Sequence, residues 1–248
     1  MKIKIKQLGP IKQAEFILGD LTLICGGNNT GKTYATYALF GFLDVWREML
    51  KIGIEDRSIT TLLNDGIVHI DLEPYVDKTQ TILQEGCKKY TQSLSRVFSS
   101  PGDYFKDTEF QAITDRINLH ETPAFEQTIQ TMNTELFSFS KTENSTKLMV
   151  SLIIDKEKVH LPAALINQIV AQTVNEIIFG QFFPKPFIVS AERTGAAIFR
   201  KELNFARNRL LKEMSQTDKN IDPIQLLSRV YNDYALPVER NVDFTCLR

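Results

Sequence analysis

The chain has 248 residues, an apolar fraction of 43% and a formal net charge of −1. This length suits one large domain or two small ones, and the near-zero charge implies no general attraction to nucleic acid. No apolar run reaches the roughly 18 residues that a membrane span needs, and the alternating start of the chain lacks the apolar core of a signal peptide. The three cysteines are widely separated and predict neither a disulfide framework nor a zinc site. We therefore expect a protein of the reducing cytoplasm that makes no membrane contact.

Three short strands are predicted at the start of the chain. Residues 1–6 alternate apolar side chains with lysines, as in a half-buried strand, and Gly9 and Pro10 follow as a tight turn. Residues 11–17 and residues 21–25 are the second and third predicted strands. The first two would form an antiparallel hairpin ahead of the third.

A glycine-rich loop directly follows the third predicted strand. Residues 26–33 are Gly-Gly-Asn-Asn-Thr-Gly-Lys-Thr, which fits the phosphate-binding pattern G-x-x-x-x-G-K-[ST]. Residues 33–50 then form a predicted helix, because apolar residues recur there every three or four positions. A strand, a glycine loop and a helix in this order are the context that a P-loop requires. The sequence therefore predicts a nucleoside triphosphate site.

Each residue type in this loop has a physical role in binding phosphate. Gly26 and Gly31 can adopt positive φ, so successive backbone N–H groups can face one anion at the positive end of the helix dipole. Lys32 is expected to reach the β- and γ-phosphates of ATP as the catalytic phosphate clamp, and Thr33 to ligate Mg²⁺. The predicted ATP-binding set is Gly26, Gly27, Asn28, Asn29, Thr30, Gly31, Lys32, Thr33 and Tyr34.

The opening hairpin, together with the pair Asn28 and Asn29, resembles the ABC-type ATPase heads of the SMC, RecF and OLD group. The resemblance covers residues 1–50. It resumes at residues 187–193, Phe-Ile-Val-Ser-Ala-Glu-Arg, which are similar to a strand end in bacterial AAA-labelled ATPases of anti-phage systems, Septu-like and retron-linked ones among them. It implies an α/β P-loop NTPase fold, a homodimer or higher oligomer that sandwiches ATP, and a nuclease or toxin as effector partner.

This resemblance divides the chain into three parts. Residues 1–50 would be the N-terminal segment of the ATPase core, residues 51–185 an inserted and mainly helical lobe, and residues 186–248 a return to the core. Residues 103–146, rich in Thr, Ser, Gln and Asn, are expected to form loosely packed helices and strands. The other elements predicted after residue 50 are a strand at 67–72, a helix at 79–98, a strand at 148–154 with a hairpin partner at 158–161, a helix from Pro162 to about Phe183 and a buried strand at 187–190.

Hydrolysis would need an acid that holds Mg²⁺ and a group that positions water. Asp155 follows an apolar run, as a Walker B acid does, but Lys156 stands where that pattern has Glu, so a turn residue is the alternative. Glu192 ends a predicted strand, where it would either sense the γ-phosphate or anchor the following helix. No signature motif of the Leu-Ser-x-Gly kind is present. We therefore expect residues 1–248 to be the N-terminal portion of an ATPase head.

The segment from residue 185 to residue 212 is the most basic part of the chain, with seven lysines or arginines against two acids. A helix is predicted at 196–214. Its Arg200, Arg207 and Arg209 would contact nucleic acid, or would simply face solvent.

Three functions stay open at this point. The resemblance implies an ATPase that acts as a nucleotide-gated switch in anti-phage defence or DNA processing. The missing acidic motif favours a non-hydrolysing ATP-binding scaffold that holds a nuclease or toxin. A small-molecule kinase also uses a P-loop, but the opening hairpin and the asparagine pair speak against it.

Overall fold

A computed structural model describes residues 1–131, 134–153, 162–189 and 235–240. These residues form a mixed α/β fold with antiparallel sheets. The strands are β1 (Lys2–Leu8), β2 (Ile11–Ile17), β3 (Ile67–Asp71), β4 (Glu109–Ile113), β5 (Phe125–Thr131), β6 (Thr134–Lys141) and β7 (Lys147–Leu152). The helices are α1 (Lys32–Met49), α2 (Asp56–Asp65), α3 (Glu73–Asp77), α4 (Thr79–Gln92), α5 (Leu94–Phe98) and α6 (Ala163–Phe179).

The first sheet has the strand order β2-β1-β4 and contains the predicted hairpin. β1 and β2 pair antiparallel on either side of the turn at Gly9 and Pro10. The predicted alternation of β1 is confirmed, because Ile3 and Ile5 are fully buried. β4 pairs with the other edge of β1. A strand from the region predicted as an inserted lobe therefore completes the sheet that begins the chain.

The second sheet has the strand order β3-β7-β6-β5. β3 and β7 confirm the strands predicted near residues 67–72 and 148–154. β5 and β6 lie in the polar segment at 103–146, where the sequence pattern distinguished strands poorly from helices. The region predicted as mainly helical is therefore mixed, with five strands among its helices. One hydrophobic core joins it to the N-terminal hairpin, while the division at residues 50 and 185 stays a prediction.

Two predicted strands are not formed. Residues 21–25 and residues 187–189 have no strand pairing with any described residue. Leu21 and Leu23 are 78% and 77% exposed, and Phe187 is 66% exposed. An apolar run becomes a strand when a neighbouring strand supplies partners for its backbone N–H and C=O groups. The described part of the chain supplies no such neighbour for residues 21–25, so that prediction is wrong. Residues 187–189 are likewise not a strand, while the end of that predicted strand, Ser190, lies outside the described residues.

Two predicted helices have different ends. The helix predicted at 79–98 is divided into α4 and α5 at Ser93, whose hydroxyl and backbone N–H both donate to the Tyr90 carbonyl. Such a local bond competes with the regular helical hydrogen bonds and ends α4. The helix after Pro162 ends at Phe179 and continues as a turn.

Several predicted features lie outside the described residues. They are Asp155, Glu192, Arg200, Arg207 and Arg209, the hairpin partner at 158–161 and the helix at 196–214.

α1 confirms the helix predicted at residues 33–50, and its apolar face is buried in the core. Trp46 is fully buried, and its ring lies 5.2 Å from the ring of Phe183, between centroids. In the middle of α1, a Cβ built on Gly41 would lie 2.6 Å from the Tyr90 hydroxyl and 2.8 Å from a Val97 methyl. Glycine therefore lets α4 and α5 approach the backbone of α1 more closely than any other residue would.

Two ion pairs connect other segments to α1. Arg47 makes a bidentate pair with Glu176 of α6, with N–O distances of 2.8 and 2.9 Å. Arg240 donates to Asp44 at 2.8 Å, and the neighbouring Leu236 is buried in the core. The described C-terminal segment thus returns to the side of α1.

Candidate functional site

The predicted phosphate loop leads directly into α1, which begins at Lys32. Asn29 and Gly31 have φ of 61° and 95°, in the left-handed region. Gly31 is the N-cap of α1; no side chain caps the helix, and its first turn contains no acidic residue. Residues 26–30 are exposed. The positive end of the α1 dipole is therefore uncompensated and open to an anion held in the loop.

The side chain of Lys32 lies across this loop. Its ammonium donates to the Gly26 carbonyl at 2.7 Å and also to the Gly27 carbonyl. The Thr30 hydroxyl donates to the Gly27 carbonyl at 2.9 Å, which closes the loop from the other side. Carbonyl oxygens and phosphate oxygens are both acceptors for an ammonium. Lys32 can therefore exchange its two carbonyl partners for phosphate oxygens with its cation already at the loop.

Thr33, the predicted Mg²⁺ ligand, lies in the first turn of α1. It is exposed beside the loop, and its hydroxyl makes no hydrogen bond to any described residue. A hydroxyl oxygen is a hard ligand of the kind that Mg²⁺ prefers. Within the described ranges, no group of three or more His, Cys, Asp or Glu residues could hold a metal ion. Asp155 and Glu192, the predicted acidic partners, fall outside those ranges.

The turn of the N-terminal hairpin packs directly against the loop. A Cβ built on Gly31 would collide with the Ile11 side chain and would lie 3.3 Å from the ring of Pro10. One built on Gly9, whose φ is 55°, would lie 2.6 Å from the ring of Tyr34. The resemblance linked the hairpin and the loop through their order in the sequence, and the structure brings them into contact.

Tyr34 has a different position from that of the other predicted ATP-binding residues. Its ring stacks on Phe98 at 5.1 Å and meets the edge of Phe105 at 6.5 Å, between centroids. Burial raises the pKa of the Tyr34 hydroxyl. The side chain thus belongs to an aromatic cluster that fixes the first turn of α1, and the group it offers to the loop is its backbone N–H.

A cleft that the sequence did not predict lies at the other end of α1. We call it the α2–α6 cleft; it has a volume of about 990 Å³. Its walls are the last turn of α1, the segment that follows, one side of α2 and one side of α6. The lining residues are Arg47, Glu48, Leu50, Lys51, Ile52, Asp56, Ile59, Thr60, Leu63, Ala163, Ala164, Asn167, Gln168, Ala171, Gln172 and Asn175.

The segment between α1 and α2, residues 50–55, is held along α6 by two asparagines. The Asn175 side-chain amide donates to the Leu50 carbonyl at 2.9 Å, and the Asn167 amide donates to the Ile54 carbonyl at 3.1 Å. We call residues 50–55 the strap. Asn167 and Asn175 stand about two helical turns apart, so they lie on the same side of α6. Their spacing was the signal in the sequence that this side of α6 holds another segment.

No family model, curated protein or solved structure matches the chain. In the described part of the chain, no helix is long and apolar enough to cross a membrane. The functional argument therefore depends on the residues and geometry of the loop.

Proposed function

We propose that this chain binds ATP with Mg²⁺ at residues 26–33, as a P-loop NTPase subunit of the ABC/SMC/OLD-like kind. The observation that carries the proposal is the Lys32 ammonium lying inside an exposed loop at the uncapped N-terminus of α1. Three sources of positive potential, namely the ammonium, the backbone N–H groups and the helix dipole, meet at this point. A triphosphate carries several negatively charged oxygens, which can bind the ammonium and the backbone N–H groups at the same time.

In the proposed complex, each part of the loop has one task. The backbone from Asn28 to Gly31 surrounds the β-phosphate, and Lys32 turns from the loop carbonyls to the β- and γ-phosphate oxygens. Thr33 would supply one hydroxyl oxygen to Mg²⁺, whose charge would offset that of the phosphates when the ion is bound. The hairpin turn behind Gly31 keeps the loop from opening away from the ligand.

The wider role follows from the resemblance. We propose a nucleotide-gated switch in anti-phage defence or DNA processing, in which two protomers sandwich ATP and a nuclease or toxin executes the response. Nucleic acid would be contacted through Arg200, Arg207 and Arg209. Holding ATP without hydrolysis, as a scaffold for that effector, is the alternative within the same proposal.

The test is ATP binding and ATP turnover by the purified 248-residue chain, by calorimetry and phosphate release. Lys32→Ala removes charged hydrogen bonds worth about 1.5–3 kcal/mol each, so we expect ATP affinity to fall about tenfold to a hundredfold. Lys88→Ala, an exposed lysine of α4, is the matched control and should bind ATP like the unaltered chain. Equal ATP affinity of the Lys32→Ala chain would reject the proposal.

Turnover separates the remaining alternatives. Lys32-dependent hydrolysis would place the Mg²⁺-holding acid within this chain and make Asp155 and Glu192 the first residues to replace. Lys32-dependent binding without turnover would favour the scaffold, or a catalytic half supplied from elsewhere. Transfer of phosphate to an acceptor other than water would restore the kinase hypothesis. Replacing Arg200, Arg207 and Arg209 together should weaken duplex binding and reduce its salt dependence.

A further inference from the structure

An exposed aromatic ring lies close to the first turn of α1. Tyr104 is 58% exposed, and residues 99–108, which contain it, connect α5 to β4. Of the aromatic residues in the described ranges, only Tyr104 and Phe187 are exposed. Single exposed apolar side chains are common on protein surfaces. The contacts of Tyr104, rather than its exposure alone, are therefore what indicate a function.

These contacts hold the Tyr104 ring in a fixed position. Its backbone N–H donates to the Pro101 carbonyl at 3.1 Å, and its ring meets the ring of Phe105 at 4.9 Å between centroids and 84° between planes. The buried Thr108 hydroxyl donates to the Gln7 carbonyl at 2.6 Å, which attaches the segment to β1 beside the hairpin turn. The ring is therefore supported by the fold, while more than half of its surface stays open to a ligand.

Tyr34 connects this ring to the phosphate loop. Its own ring packs against the Phe105 ring, at 6.5 Å between centroids, and against the hairpin turn at Gly9. Burial and the adjacent Tyr104 hydroxyl raise the pKa of the Tyr34 hydroxyl, so the two hydroxyls are neighbours. Tyr104 thus contacts the residue that directly follows the phosphate-binding pattern.

The first turn of α1 indicates where a nucleoside would leave the loop. The first helical hydrogen bond of α1 starts at the N–H of Ala35, so the N–H groups of residues 32–34 have no partner within the helix. The proposed complex assigns the β- and γ-phosphates to the first two of these residues. The Tyr34 N–H is then left for the α-phosphate, which carries the ribose and the base. The base therefore emerges beside Tyr34, next to the ring of Tyr104.

We propose that Tyr104 is the stacking platform for the base of the bound nucleotide, and that the site therefore prefers purine to pyrimidine nucleoside triphosphates. This inference rests on the proposed nucleotide binding at residues 26–33. Bases stack on exposed aromatic side chains, and the two fused rings of a purine cover more of such a ring than a pyrimidine does. Stacking depends on the face of the base and not on its edge, so adenine and guanine gain from it alike.

The test compares the binding of ATP, CTP and inorganic tripolyphosphate to the purified 248-residue chain by calorimetry, with Mg²⁺ present. Tyr104→Leu keeps an apolar side chain but removes the aromatic face. We expect its ATP affinity to fall about fivefold or more, and its CTP affinity to fall less. Tripolyphosphate has no base, so its affinity should not change. Tyr104→Phe keeps the ring and should bind all three ligands as the unaltered chain does.

A spectroscopic measurement reports the stacking directly. The emission of 2-aminopurine riboside triphosphate falls when its base stacks on an aromatic ring, so the unaltered chain and Tyr104→Phe should quench it at saturation. Tyr104→Leu should not. Because Tyr104 is mostly exposed, both variants should keep the fold, as the emission of the buried Trp46 would check.

Three results would overturn the proposal. The first is equal ATP affinity of Tyr104→Leu and the unaltered chain while both bind tripolyphosphate through Lys32, which would leave the phosphate site intact and move the base elsewhere. The second is equal affinity of the unaltered chain for ATP and CTP. The third is an absence of binding by both ATP and tripolyphosphate, which would reject the proposed nucleotide site and this inference together.

Discussion

Replacement of Gly31 by alanine tests whether the hairpin turn and the phosphate loop are packed as one unit. The φ of 95° at this position costs alanine about 1–2 kcal/mol. The new Cβ also collides with Ile11, which is itself buried, and overpacking of this kind adds about 1–3 kcal/mol. We therefore expect Gly31→Ala to lower the free energy of unfolding by about 2–5 kcal/mol.

Two other glycines separate these contributions. Gly66 has a φ of 80° with no atom within 4 Å of a built Cβ, so Gly66→Ala should show the conformational cost alone, about 1–2 kcal/mol. Gly53 has neither a positive φ nor a neighbour, so Gly53→Ala should leave stability unchanged or raise it by up to about 1 kcal/mol. The expected order of stability is Gly53→Ala, then Gly66→Ala, then Gly31→Ala.

Urea unfolding followed by tryptophan fluorescence measures all three variants. Trp46 is the sole tryptophan and is fully buried, so its emission reports the unfolding of the core around α1. If Gly31→Ala is no less stable than Gly66→Ala, Ile11 does not press on the loop and the described contact is refuted. A Gly66→Ala chain as stable as Gly53→Ala would mean that α2 does not end in the left-handed conformation.

Three further predictions concern the core and its ion pairs. Tyr90→Phe removes the hydroxyl that donates to the Ala38 carbonyl at 2.5 Å, and thermal melts should show a loss of about 1 kcal/mol. Burial raises the pKa of the Cys87 thiol from 9.0 to about 11, so the folded state keeps a proton that the unfolded state loses. Stability should therefore fall as the pH rises from 9 towards 11, and Cys87→Ala should reduce that fall. Arg47→Ala and Glu176→Ala should couple by about 0.5–1 kcal/mol in a double-mutant cycle, and less at high salt.

Each of these has a contrary result. An unaltered melting temperature for Tyr90→Phe would show that the hydroxyl is hydrated. The same alkaline profile with and without Cys87 would mean that this thiol is exposed to solvent. Additive effects of the Arg47 and Glu176 substitutions would show that the pair contributes no net stability.

The sequence predicted the elements whose signal is local. α1 and the hairpin were correct because their periodicity and their turn residues lie within a few positions of one another. Residues 21–25 have the composition of a strand, but a strand also needs a neighbour, and no pattern within the run shows whether one exists. β4 illustrates the same limit in reverse, since its partner β1 is adjacent in the sheet but far away in the sequence, at the start of the chain.

The two candidate sites also differ in whether their signal is local in the sequence. The phosphate loop is one continuous motif, so its residues could be named from their order, and the structure adds that Lys32 lies across the loop. The α2–α6 cleft is built from two stretches, residues 47–63 and residues 163–175, that only the fold brings together. Its signal was the spacing of Asn167 and Asn175, which has meaning only once the strap is known to run alongside α6.

The contacts of α1 have a consequence for the proposed phosphate site. This helix is fixed at three points: by the hairpin turn at Gly31, by α4 and α5 at Gly41, and by the bond from Asn175 to Leu50. A helix about 27 Å long that is held at both ends and the middle cannot tilt at one point without losing packing at another. The loop is thus preorganised for the proposed ligand, and the binding energy of a triphosphate would go into affinity with little spent on rearrangement of α1.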